Sequence, residues 1–108
     1  GYNVVIHEFV HKLDMANGEA DGLPPLPDRA AAETWLTTLE AAYDSFCRDV
    51  DEGFDTFLDP YGAQGLEEFF PVAAEAFFVA PAAFRQYHPT LYTLFAGYFR
   101  QDPATSRG

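Results

Sequence analysis

The sequence predicts a mainly α-helical domain, and three observations carry that reading. Residues 7–11 read His7-Glu8-Phe9-Val10-His11, an H-E-x-x-H pattern whose spacing is useful only on a helix. Between Asp28 and Val50, apolar side chains recur at offsets of three and four, the stripe of an amphipathic helix. From Leu66 to Val79 the chain is apolar almost all round, the mark of a helix buried on every side. Turn and breaker residues separate these stretches.

The first helix is expected over Tyr2–Met15, with Val4, Val5, Phe9 and Leu13 as its apolar contacts and Asn17-Gly18 as its stop. Val4-Val5-Ile6 is β-branched and would suit a strand, but the histidine spacing argues for a helix. At about 100° per residue, His7 and His11 lie about 40° apart and project both imidazoles to one side, as zinc ligands do. Glu8 sits about 100° round from His7, within reach of a water on the metal but not placed as a ligand. A catalytic zinc site usually takes three protein ligands and keeps one position for water, so a third donor must come from elsewhere. Asp14 returns to the ligand face. It either accepts a ring N–H from a ligand histidine or is a solvated acid near a helix end, and the residues leave both open.

Glu19–Pro27 reads as a loop, with Asp21-Gly22 and Pro24-Pro25 as its signals. Asp28 then caps a helix that runs to about Val50, burying Ala32, Trp35, Leu36, Leu39, Ala42, Tyr43, Phe46, Cys47 and Val50. Within that stripe Cys47 is expected to be an inert buried thiol, neither nucleophile nor ligand. Asp51–Gly65 reads as irregular. Its acids Asp51, Asp55 and Asp59 lack the spacing and terminal glutamate of a calcium loop.

Leu66–Val79 is the expected buried helix, kinked at Pro71 or starting later because of it. Glu68 and Glu75, seven apart, share one face. Buried carboxylates are costly unless paired or metal-bound, so these two are the candidates for the third ligand. A short helical turn over Pro81–Tyr87 and a last helix from Pro89 to about Gln101 complete the chain. Leu91, Leu94, Phe95, Tyr98 and Phe99 form the last stripe, His88 is a surface or capping histidine, and the tail from Asp102 is expected to fray.

Seventeen acidic against six basic residues give a formal charge of −11, which repels phosphates and anionic lipid and argues against nucleic-acid or membrane partners. The one cysteine excludes an intrachain disulfide, and no stretch is long and apolar enough to read as a signal or membrane span, so a cytoplasmic location is expected. The 108 residues form one domain, short for a complete zinc peptidase, and read as a fragment of a larger protein.

The run from His7 to Met15 with Asn17-Gly18 resembles the metal helix of the Mlc titration factor A family of bacterial zinc peptidases. The likeness continues through Pro24-Pro25, Tyr61, Glu68, Glu75-Ala76-Phe77-Phe78, Ala80-Pro81, Phe84, Pro89 and Phe99 to Pro103. It implies the helical zinc-binding portion of a zincin-like (glutamate-zincin) metallopeptidase, residues 1–108 forming a single catalytic subdomain without the family's N-terminal β-sheet part. It implies one Zn²⁺ per chain, with Glu68 as the third ligand beside His7 and His11. Glu67 is then an exposed neighbour, and Glu75, like Asp14, orients a ligand. Tyr61 falls on a family tyrosine whose phenol could donate to a developing oxyanion, although by itself it reads as a turn tyrosine packed on the core. The resemblance implies aminopeptidase-like hydrolysis of peptides with Glu8 as general base. It also implies a second role, since the family is named for sequestering a transcriptional repressor, Mlc.

Overall fold

The computed structural model describes residues 22–104, all of the secondary structure there being helical. The first element, α1 (Arg29–Asp51), begins where expected: Asp28 is extended, and its Oδ1 accepts the Ala31 amide at 2.8 Å. A cap of this kind stabilises a helix by about 1 kcal/mol. The helix ends at Glu52, whose N–H reaches the Arg48 carbonyl, and Gly53 follows with φ of +79°, a conformation that favours glycine.

The irregular stretch after α1 contains one element that sequence did not predict, a 3-10 helix over Pro60–Gln64. Its cause is local: Asp59 accepts the Tyr61 amide at 3.0 Å and Pro60 fixes the first φ. α2 (Leu66–Val79) then spans the expected residues, beginning at Leu66 and running on past Pro71. Pro71 leaves the Glu67 carbonyl without its intrahelical partner, yet the helix is continuous because Pro71 sits within a buried wall from Phe69 to Glu75. α3 (Pro81–Tyr87) and α4 (Pro89–Phe99) both open on proline. α4 stops at Arg100, short of Gln101, because Arg100 turns left-handed (φ 55°) and the Gln101 amide folds back to the Ala96 carbonyl at 3.2 Å.

Aromatic rings make the core. Trp35 of α1 packs edge-on against Phe70 at 5.2 Å and stacks on Phe95 at 5.5 Å. Phe77 of α2 meets Phe84, Phe95 and Phe99, tying α3 and α4 to it. The stripe read from α1 is confirmed, with Trp35, Leu39 and Phe46 fully inside. Cys47 is only partly buried, its Sγ 3.9 Å from the Ala63 carbonyl, because the 3-10 helix covers it on one side. His88 is half-buried where α3 meets α4, its ring lying over Phe84, and burial holds its pKa below the ordinary value despite the pull of Asp49.

The start of the tail is a correction, and residues 105–108 lie outside the described residues. Asp102 and Ala104 do not fray: the Tyr92 hydroxyl donates to Asp102 Oδ1 and accepts from the Ala104 amide at 3.0 Å. Tyr92, absent from the predicted stripe, is buried and supplies this anchor at the end of α4's inner face.

Candidate functional site

α2 has two faces, and helical geometry separates them. Placing Glu68 at zero and turning about 100° per residue, Val72, Glu75, Ala76 and Val79 fall within an arc of about 100° beside it, while Phe69, Phe70, Ala73, Ala74 and Phe77 fall on the other half. The second set is entirely buried in the core. The first set looks out onto the 52–60 loop, where Val72, Glu75, Ala76 and Val79 line a cavity of about 320 Å³ with Thr56, Phe57, Leu58, Asp59 and Pro60.

Tyr61 and Glu68 meet at the head of this face. The Tyr61 hydroxyl donates to Glu68 Oε2 at 3.1 Å, and Glu68 Oε1 is shielded from solvent. Tyr61 is 44 % exposed, so it is not the core-packed turn tyrosine that its position in a loop suggests. Its placement is determined by its neighbours. Gly62 is buried, and an added Cβ would meet Phe46 and Val72 in ordinary contact at 3.4 Å, so the 3-10 helix lies against both α1 and α2. Behind it, the Tyr43 hydroxyl donates to the Ala63 carbonyl at 3.1 Å. Burial, reinforced by Cys47, Glu67 and Asp44, pushes the Tyr43 phenol up to about 12, so it stays protonated and keeps that bond. Asp59, Gly62 and Tyr43 were not singled out in the sequence as site residues. The Asp-Pro pair at 59–60 was a readable turn signal, whereas the packing demand on Gly62 exists only once the two helices are placed.

Glu67, expected to be exposed, is partly covered, its carboxyl lying where a side chain on Gly65 would go. Glu75 is buried at 6 % exposure, two turns along α2 from Glu68 and on the same face. His7, Glu8, His11 and Asp14 lie outside the described residues. Among the described residues no three His, Cys, Asp or Glu side chains gather in a way that could hold a metal. Of the three expected donors only the Glu68 carboxylate is described, and it suits zinc chemically: carboxylate oxygen completes two-histidine catalytic sites, and the Tyr61 bond is the kind of outer support that orients such a ligand.

One further contact lies at the first of the described residues. The chain passes Gly22 against the core, where the Trp35 Nε1–H donates to the Gly22 carbonyl at 2.7 Å. Gly22 has φ of +84°, and an added Cβ would stand 3.1 Å from Leu39 and 3.3 Å from Leu66, the first residue of α2. Gly22 is therefore fastened beside Leu66, at the N-terminal end of the Glu68 helix.

Residues 1–100, which contain the H-E-x-x-H run and both Tyr61 and Glu68, match the family described as glucose-regulated metallo-peptidase M90. The chain belongs to this family. Membership of M90 implies a metal cofactor. Among its relatives are proteins named Mlc titration factor A, 43 % identical in Edwardsiella ictaluri over 95 % of this chain and 40 % of the relative, and 41 % identical in Serratia proteamaculans over the same shares. An uncharacterized protein from Synechocystis is 34 % identical over 95 % of this chain and 38 % of its own length. The chain thus spans about two-fifths of the curated relatives it matches. Among the described residues no helix is long and apolar enough to cross a membrane.

Proposed function

We propose that this chain is the catalytic subdomain of a cytoplasmic zinc metallopeptidase that hydrolyses peptide bonds, with aminopeptidase-like preference for small peptides. The observation that carries the reading is the Tyr61–Glu68 hydrogen bond at the head of the outer face of α2, in a chain of a metallopeptidase family whose H-E-x-x-H run supplies the complementary donors.

In this reading His7, His11 and Glu68 hold one Zn²⁺. When bound, the ion supplies Lewis-acid polarisation of the scissile carbonyl and makes water acidic enough to ionise near neutral pH. Glu8 takes the proton from the attacking water and passes it to the leaving amine nitrogen, so one carboxylate serves as base and then acid. Asp14 and Glu75 orient ligand side chains, fixing the imidazole tautomer and the carboxylate rotamer. Tyr61 has a single hydroxyl proton. In the resting arrangement it is spent on Glu68 Oε2, and during reaction the phenol turns to donate to the oxygen of the tetrahedral carbon.

Metal content tests the ligand set. The intact protein should carry zinc at one equivalent per chain, and Glu68→Ala should lose it while keeping its helical circular dichroism. Glu8→Gln should retain zinc and lose turnover. Full zinc occupancy in Glu68→Ala, or activity in Glu8→Gln, overturns the corresponding role.

A second reading rests on the name of the relatives, which describes titration of Mlc. The chain then forms part of a protein-binding regulator of a repressor, with hydrolysis secondary. Capture of the repressor by a His7→Ala/His11→Ala variant would favour a binding surface separate from the metal site.

A further inference from the structure

The cavity beside Glu68 has no part in the mechanism above beyond Glu75, the carboxylate on its wall that is there given a ligand to orient. It measures about 320 Å³, at the lower end of the range for small-ligand pockets and thus sized for one side chain. Its walls combine two chemistries. Phe57, Leu58, Val72, Ala76 and Val79 give it apolar sides, and its only charged lining residues among those described are Asp59 and Glu75. Glu75 is buried, whereas Asp59 is exposed at the mouth with one oxygen committed to the Tyr61 amide. A cleft with apolar walls lined by charges of one sign concentrates the field of that sign.

Its distance from Glu68 follows from the helix they share. Glu75 lies seven residues from Glu68, which at 1.5 Å per residue is about 10 Å along α2. An extended peptide advances about 3.3–3.6 Å per residue, so a side chain entering the cavity belongs to a residue within about three positions of a bond held near Glu68. Val79, 43 % exposed, stands at the outer rim and leaves the entrance open.

We propose that this cavity is a substrate subsite that selects a peptide residue with an aliphatic stem and a cationic head, lysine or arginine. The stem packs on Phe57, Val72 and Ala76 as long basic side chains do on apolar surface. The head is drawn to Glu75 and Asp59, each carboxylate having lone pairs enough to accept the ammonium alongside its other bonds. This rests on the peptidase reading for its substrate, but its test does not need turnover.

The experiment is a binding titration of the intact Glu8→Gln protein with alanine-based hexapeptides, their amino termini free, in which one lysine or one norleucine is walked along the chain. Every peptide carries the same terminal ammonium, and norleucine keeps the stem without the side-chain charge. The expected result is a lysine peptide, at one position of the walk, bound at least about tenfold tighter than its norleucine partner. Glu75→Gln should shrink that ratio, and Ala76→Phe, which fills the cavity, should abolish it. Val79→Trp at the exposed rim gives the same block without touching the core. Equal affinities for the two peptides at every position, binding of neither, or a lysine preference undiminished in folded Ala76→Phe or Val79→Trp overturns the proposal. Zinc stoichiometry and cleavage by the wild-type protein are read separately, so a failed subsite and a failed peptidase assignment give different results.

Discussion

Replacing Tyr61 by phenylalanine separates two uses of one hydroxyl, because their magnitudes differ. The phenol donates to Glu68 Oε2 at 3.1 Å from a side chain 44 % exposed. A solvent-accessible hydrogen bond to a carboxylate contributes on the order of 1 kcal/mol, since water replaces it readily. Losing it should weaken zinc binding by about fivefold and no more than about tenfold. Removing a donor to a developing oxyanion costs about 10²–10³ in kcat. The Tyr61→Phe protein should therefore show a small rise in the zinc dissociation constant, measured by competition with a chromophoric chelator, and a far larger fall in kcat at saturating zinc. KM should move little. If kcat falls by no more than zinc affinity does, the hydroxyl serves only to steady Glu68 and the oxyanion role is refuted. A hundredfold loss of zinc affinity would show instead that the Tyr61–Glu68 bond carries energy its exposure does not allow.

Three other perturbations follow from the packing. Trp35→Phe removes the buried Nε1–H bond to Gly22 and leaves space beside Phe70 and Phe95, so stability by chemical denaturation should fall by about 2–4 kcal/mol. A loss well below about 1 kcal/mol would show that the bond to Gly22 contributes nothing net. Tyr92→Phe removes both bonds that hold Asp102 and the Ala104 amide, and hydrogen exchange at Ala104 should quicken by about tenfold or more with the core amides unaffected. For His88, burial lowers the folded pKa below 6.5, so between that folded value and 6.5 the unfolded chain binds more protons and stability falls as pH drops. His88→Gln should flatten that acid limb of the denaturation midpoint; an identical slope in both proteins would show that other groups set it.

The parts of the fold that were legible in the sequence are those governed by local chemistry. Asp28 capped α1 as its side-chain oxygen allows, and the apolar stripe gave Trp35, Leu39 and Phe46 as core. Proline at the first position marked both α3 and α4. What failed was governed by contacts remote in sequence. Tyr92 looked like one more half-polar position on α4, and only the return of the chain at Asp102 and Ala104 gives its hydroxyl a reason to be inside. The 3-10 helix at Asp59-Pro60 is set locally by its cap and its proline, but its seat on α2, where Gly62 meets Val72, depends on residues remote in sequence.

The candidate site divides in the same way. Glu68 and Glu75 were placed on one face by their spacing alone, and the structure keeps them there while giving them different surroundings: Glu75 enclosed beside the cavity, Glu68 at the head of the helix under Tyr61. Choosing between them from the residues was not possible, because a period of seven makes them equivalent. Their positions relative to Tyr61 break that equivalence. A phenol ten ångströms down the helix could not serve the group at Glu75 and the group at Glu68 alike, and the 3-10 helix, pinned by Gly62 and Tyr43, can reach only one. The 3-10 helix thus gives the two carboxylates different surroundings, one bonded by Tyr61 and one facing the cavity. It follows that Gly62→Val, whose branches reach beyond a Cβ already in contact with Val72 and Phe46, should disturb zinc affinity and the lysine preference together, whereas Glu75→Gln should weaken the lysine preference more than zinc affinity.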